Sequence, residues 1–74
     1  MGRLAGFTAE DVLRKLRRAG FAFDRQARGS HEVWWSPRTR ARTTVPRHPG
    51  TLSEGTVRAI VKQAGLTVEE FLKF

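Results

Sequence analysis

Seventy-four residues without a cysteine leave room for one small hydrophobic core and exclude both disulfide staples and thiolate metal sites. Fourteen Lys and Arg against seven Asp and Glu give a formal charge of +7, and eleven of the fourteen are arginine, so the surface attracts polyanions, with RNA and DNA first among them. A hydrophobic share of 39% belongs to a globular chain. No apolar run reaches the length of a membrane span or a signal-peptide core, so a soluble, cytoplasmic protein without a membrane partner is expected.

The first element is a helix. Thr8 stands three residues before Asp11, and Phe7 and Val12 bracket the start as a hydrophobic staple. Ala9, Val12, Leu13, Leu16 and Ala19 form its apolar stripe. Its end is "RRAGF", Arg17–Phe21, where Gly20 takes the left-handed position and a large apolar residue follows. Phe21–Arg25 then alternates as a strand with both phenylalanines on one face. A second strand is predicted over His31–Ser36, a turn over Ser36-Pro37-Arg38-Thr39, and a third strand over Arg42–Val45 that stops at Pro46. Ser53 caps a second helix, with Leu52 and Val57 as its staple, although Thr56 sits where glutamate would serve better. Val57, Ile60, Val61 and Ala64 are its stripe, and "KQAGL", Lys62–Leu66, repeats the glycine stop. Thr67 with Glu70 caps a short last helix, Thr67–Leu72. The order α-β-β-β-α with a short C-terminal helix predicts one two-layer α+β domain over residues 1–74, three antiparallel strands with the helices on one face.

The chemistry concentrates in "RQARGSHEVWWSPRTR", Arg25–Arg40. Two histidines and scattered carboxylates do not make a closed zinc site, and no carboxylate cluster suits paired magnesium ions. "RGSH" lacks the lysine of a phosphate loop. A triad of Ser30, His31 and Asp24 is disfavoured because neighbours on a strand point to opposite faces. No cofactor is expected. RNA cleavage needs less, since the 2′-hydroxyl is itself a nucleophile beside the scissile phosphate. A histidine supplies proton transfer, and arginine stabilises the phosphorane.

His31 is the candidate for the first task, although a solitary strand histidine reads more readily as structural. Arg28, Arg40, Arg42 and Arg47 are candidates for the second, with Gly29 and Ser30 as a small anion nest. His48 lies between two prolines in "VPRHPG", Val45–Gly50. It reads first as part of a chain reversal, with an RNA contact allowed and a second proton-transfer role less favoured. Trp34 and Trp35 point to opposite faces; one belongs to the core and the other is free to stack on a base. If Val33 faces the core, His31 and Trp35 share that side. Arg14, Lys15, Arg17 and Arg18 read most simply as a solvated helix face, with phosphate gripping as the alternative.

Six short motifs occur in order: "AGF" at Ala19–Phe21, "GSH" at Gly29–His31, "VP" at Val45-Pro46, "HPG" at His48–Gly50, "GT" at Gly55-Thr56 and "KQAG" at Lys62–Gly65. In this order the sequence resembles the HicA family of toxin–antitoxin modules, from about Phe7 to Leu72. The resemblance implies a double-stranded-RNA-binding-like fold and a metal-independent mRNA interferase that blocks translation. It also implies a HicB antitoxin that covers the active site. The family's catalytic histidine is the one in "GSH", here His31. Glu32 is a less usual acidic neighbour, expected to matter little on the opposite face, and the arginine-rich turn "SPRTRARTT" is expected to affect RNA preference. Folds of this class read duplex shape and phosphates, so weak sequence preference is expected. The alternative is a non-catalytic RNA-binding module, which needs the fold and charge alone. DNA binding lacks a helix-turn-helix, because the sheet separates the two main helices.

Overall fold

The computed structural model of the chain describes residues 2–74; Met1, the first residue of the expected domain, lies outside them. Ala9–Arg18 (α1), Glu54–Gln63 (α2) and Val68–Lys73 (α3) are helical, and Ala22–Gln26 (β1), His31–Trp35 (β2) and Arg42–Pro46 (β3) are strands. The α+β order and the antiparallel sheet are those of the double-stranded-RNA-binding fold, with α3 added at the C-terminal side. Among the described residues no helix is long and apolar enough to cross a membrane.

The helix ends form for local reasons. Thr8 Oγ1 accepts the amide of Asp11 at 3.1 Å, and Asp11 Oδ2 accepts the amide of Thr8 at 3.0 Å. Two donors that a helix start would leave unpaired are thereby satisfied. Those bonds from Thr8, with a smaller contribution from Arg14, hold the Asp11 carboxyl below the usual carboxylate range. Thr67 and Glu70 repeat the exchange at α3. At α2 no carboxylate stands opposite the cap; Ser53 Oγ accepts the Thr56 amide at 3.2 Å and donates to Thr56 Oγ1 at 2.8 Å.

The two glycine stops also form. At the end of α1 the Phe21 amide donates to the Leu16 carbonyl at 2.9 Å and the Gly20 amide to that of Arg17 at 3.0 Å; Leu66 and Gly65 do the same at the end of α2. Gly20 has φ +97°, and a Cβ added there would meet nothing within 4 Å. The cost of a side chain is therefore purely one of backbone conformation. Gly20→Ala is expected to lower the unfolding free energy by about 1–2 kcal/mol, seen as a lower urea midpoint at unchanged slope.

The sheet runs in the order β1-β2-β3. Glu32 lies opposite Val45 and Trp34 opposite Thr43, whereas His31 faces Pro46, Val33 faces Thr44 and Trp35 faces Arg42. Directly opposed residues share a face. Trp34 and Val45 join Leu13, Leu16, Ile60, Val61 and Phe71 in the core, so Glu32, Trp34, Thr43 and Val45 face the helices. His31, Val33 and Trp35 occupy the other, open face. Trp34 is the core tryptophan, at 5% exposure. Val33 is buried as well, yet on the open side and outside the core cluster. His31 and Trp35 do share its side, but that side is the one the helices leave uncovered.

Both phenylalanines of the first strand region do share a face: Phe23 lies opposite Trp34 on the covered side. Phe21 is buried there, whereas Phe23 is 51% exposed, with its ring edge-on to Trp34 at 5.9 Å. The helices pack mainly over β3, at the opposite edge of the sheet from β1, so Phe23 lies at the margin of the covered face. The basic side of α1 is not simply solvated. Lys15 Nζ donates to the Leu72 carbonyl at 3.3 Å and lies within 6 Å of the Phe7 and Phe71 rings. The Arg17 guanidinium sits 5.1 Å from the Trp34 ring. Lys15 is half-buried and both side chains lie against aromatic rings, while Arg14, Arg17 and Arg18 are exposed as expected.

Candidate functional site

The β1–β2 turn delivers His31. The Ala27 amide donates to the His31 carbonyl at 2.8 Å, the His31 amide to the Arg28 carbonyl at 3.3 Å, and Gln26 Nε2 reaches the carbonyls of Gly29 and His31 at 3.0 Å each. Gly29 takes φ +66°, a conformation that closes the turn without Cβ strain. Among the described residues the amides of Gly29 and Ser30 donate to no protein acceptor, which is the condition for an anion nest. His31 stands exposed at the first position of β2, on the open face.

The end of β3 brings a second imidazole to the same rim. Pro46 lies opposite His31, and one residue further the Arg47 amide donates to the Ser30 carbonyl at 2.9 Å. The next residue is His48, whose ring centroid lies 6.2 Å from that of His31 with the planes inclined at 43°. Sequence reasoning placed a proton-transfer role for His48 below a chain reversal and did not foresee this proximity. The strand register held the signal: carrying the Trp35–Arg42 pairing back to the start of β2 and two residues beyond sets His48 level with Gly29. Among the described residues no third His, Asp or Glu joins the pair in a set able to hold a metal ion.

Arg28, Gly29, Ser30 and His48 thus surround His31. Arg28 is exposed, and among the described residues its side chain makes no ion pair or hydrogen bond, which leaves its charge available to a phosphate. Arg47 is placed differently. Its guanidinium turns to the helix side, bonded to Glu10 of α1 and, at 3.4 Å, to Glu32 Oε1. Glu32 also accepts the Trp34 indole N–H at 3.0 Å. It is on the face opposite His31, as expected, and there it joins the core tryptophan to the loop that carries His48.

Arg40 and Arg42 lie at the other end of the sheet, about 13 Å along β2 from His31 at roughly 3.3 Å per residue. Their guanidinium carbons sit 5.8 and 5.2 Å from the Trp35 ring centroid, and Arg42 Nε is 3.5 Å from Asp24 Oδ2. Arg40 has φ +69° and closes the β2–β3 turn by donating to the Ser36 carbonyl at 2.7 Å. Trp35, half-buried on the open face, is therefore the tryptophan available for stacking. A cleft of about 380 Å³ at that pole, lined by residues that include Phe21, Ser36, Ala41 and Leu66, contains none of the rim residues.

No curated protein matches the chain. The family model for the HicA toxin of bacterial toxin–antitoxin systems matches residues 9–66, a span that begins with α1, ends after α2 and includes the whole histidine rim. The chain belongs to the HicA toxin family, whose members work against a cognate antitoxin.

Proposed function

We propose that this toxin is a metal-independent endoribonuclease that cuts mRNA and thereby stops translation, with His31 moving a proton at the scissile phosphodiester. The observation that supports it most is the placement of His31. It is an exposed imidazole at the lip of an open sheet face, beside free backbone amides and an unpaired Arg28. The RNA brings its own nucleophile, so the protein has three tasks: to remove the 2′-hydroxyl proton, to supply one to the departing 5′-oxygen, and to stabilise the charge that builds on phosphorus. Positioned proton transfer is worth about 10²–10⁴-fold, and donors aimed at the developing charge add to it. The Gly29 and Ser30 amides with Arg28 are the donors at the rim.

Further along the same face, Trp35 between Arg40 and Arg42 offers an unstacked base a surface worth roughly 1–3 kcal/mol. His48 is in reach of the same backbone as a contact. A HicB-type antitoxin is the partner proposed to cover this rim, and the substrate places the activity in the cytoplasm. The test is to incubate the purified protein with a single-stranded mRNA fragment in excess EDTA. Cleavage with 2′,3′-cyclic phosphate ends is expected, and RNA carrying 2′-deoxy sugars at the cut positions should resist. Complete loss of cleavage on chelation, or cutting of the deoxy substrate, would remove the metal-free cyclising route.

A further inference from the structure

We infer that His48 is the second proton-transfer residue, acting with His31 as a base–acid pair on one phosphodiester; this rests on the ribonuclease reading above. One imidazole cannot fill both roles in the same step, because the base must begin neutral and the acid must begin protonated. The fold sets two imidazoles on one rim, 6.2 Å apart between centroids. Among the described residues no hydrogen bond joins them or occupies either ring. Each nitrogen has to come within about 2.6–3.2 Å of its oxygen, so a phosphate seated against both rings would offer its two reacting oxygens to different partners.

The position of His48 is built rather than incidental. The residue before it is tied twice, through the Arg47 amide to the Ser30 carbonyl at 2.9 Å and through its guanidinium to Glu10 and Glu32. Pro46 and Pro49 restrict the backbone on either side. The backbone bond continues the β2–β3 ladder one pair beyond the strands, and the guanidinium clasp adds a side-chain tether, so the chain delivers His48 beside His31 at a fixed point.

The step balances on these two groups. The neutral imidazole takes the 2′-hydroxyl proton as the 2′-oxygen bonds to phosphorus. The bond from phosphorus to the 5′-oxygen breaks, and the protonated imidazole gives its proton to that oxygen. The products are a 2′,3′-cyclic phosphate and a 5′-hydroxyl, with the two rings left in exchanged protonation states that solvent resets.

The test compares wild type, His31→Ala, His48→Ala and His48→Gln, each checked for fold by circular dichroism, on two substrates. One is ordinary RNA; the other carries sulfur in place of the bridging 5′-oxygen at the cut site, a leaving group that departs without protonation. On ordinary RNA, kcat is expected to fall by about 10²–10⁴-fold at either histidine, with KM little changed. On the sulfur substrate one position alone should recover a rate near wild type, and that position is the acid. A His48 effect confined to KM, an unchanged kcat, or recovery at both positions or at neither overturns the pair. The underlying reading fails in a different way, through wild-type protein that leaves RNA intact or a His31→Ala variant that cuts it normally.

Discussion

His31→Ala is expected to reduce kcat for RNA cleavage by about 10²–10⁴-fold, equivalent to about 2.7–5.4 kcal/mol of barrier, with the fold and RNA affinity preserved. Its imidazole is exposed and makes no hydrogen bond among the described residues, while its backbone groups brace the turn and remain in the alanine variant. Exposed substitutions of this kind shift stability by no more than about 0.5 kcal/mol. Affinity rests on phosphate contacts and on stacking, which Arg28 and Trp35 retain. Single-turnover cleavage, filter binding and the growth of cells producing the variant together check the outcome. A chain that only binds RNA would keep its toxicity without the imidazole, so a fully toxic, well-folded His31→Ala variant would return the protein to the non-catalytic class.

Trp34→Ala is expected to cost about 3–5 kcal/mol of folding stability. A chain of this size has only roughly 4–11 kcal/mol in total, at about 0.05–0.15 kcal/mol per residue. The indole lies between the sheet and the helices. Its loss opens a cavity, strips the ring edge from Phe23, and removes the surface over which Arg17 lies. It also leaves Glu32 without its indole donor. Urea denaturation followed by circular dichroism should show a far lower midpoint or a large unfolded fraction before any urea is added. A loss below about 1 kcal/mol would mean that Trp34 does not anchor the sheet.

What could be read in advance followed the range of the forces involved. Thr8 with Asp11, Thr67 with Glu70, and the glycines at 20 and 65 act within five residues, and each formed as their spacing predicts. The three strands were legible from their composition and from the turn at Ser36–Thr39. Which tryptophan enters the core was not, because alternation defines two faces without saying which one the helices will cover; apolar Val33 on the open side made the pattern more ambiguous still. How far the helices reach across the sheet, and so the exposure of Phe23 on its outer strand, carries no local mark. Arg47 looked like another phosphate-seeking cation until the fold set Glu10 and Glu32 beside it. His31 was picked out by the motif that surrounds it, whereas the approach of His48 depends on pairing across a hairpin, which no single window contains.

The grip of Glu10 and Glu32 on Arg47 has a consequence for how the rim and the interior respond to their surroundings. Oily side chains maintain the body of the molecule, but part of what holds the loop beside the sheet is a clasp of opposite charges that reaches from the first helix. Concentrated electrolyte weakens such a clasp and leaves the interior intact. The molecule is thereby equipped to loosen its working edge before it loses its shape.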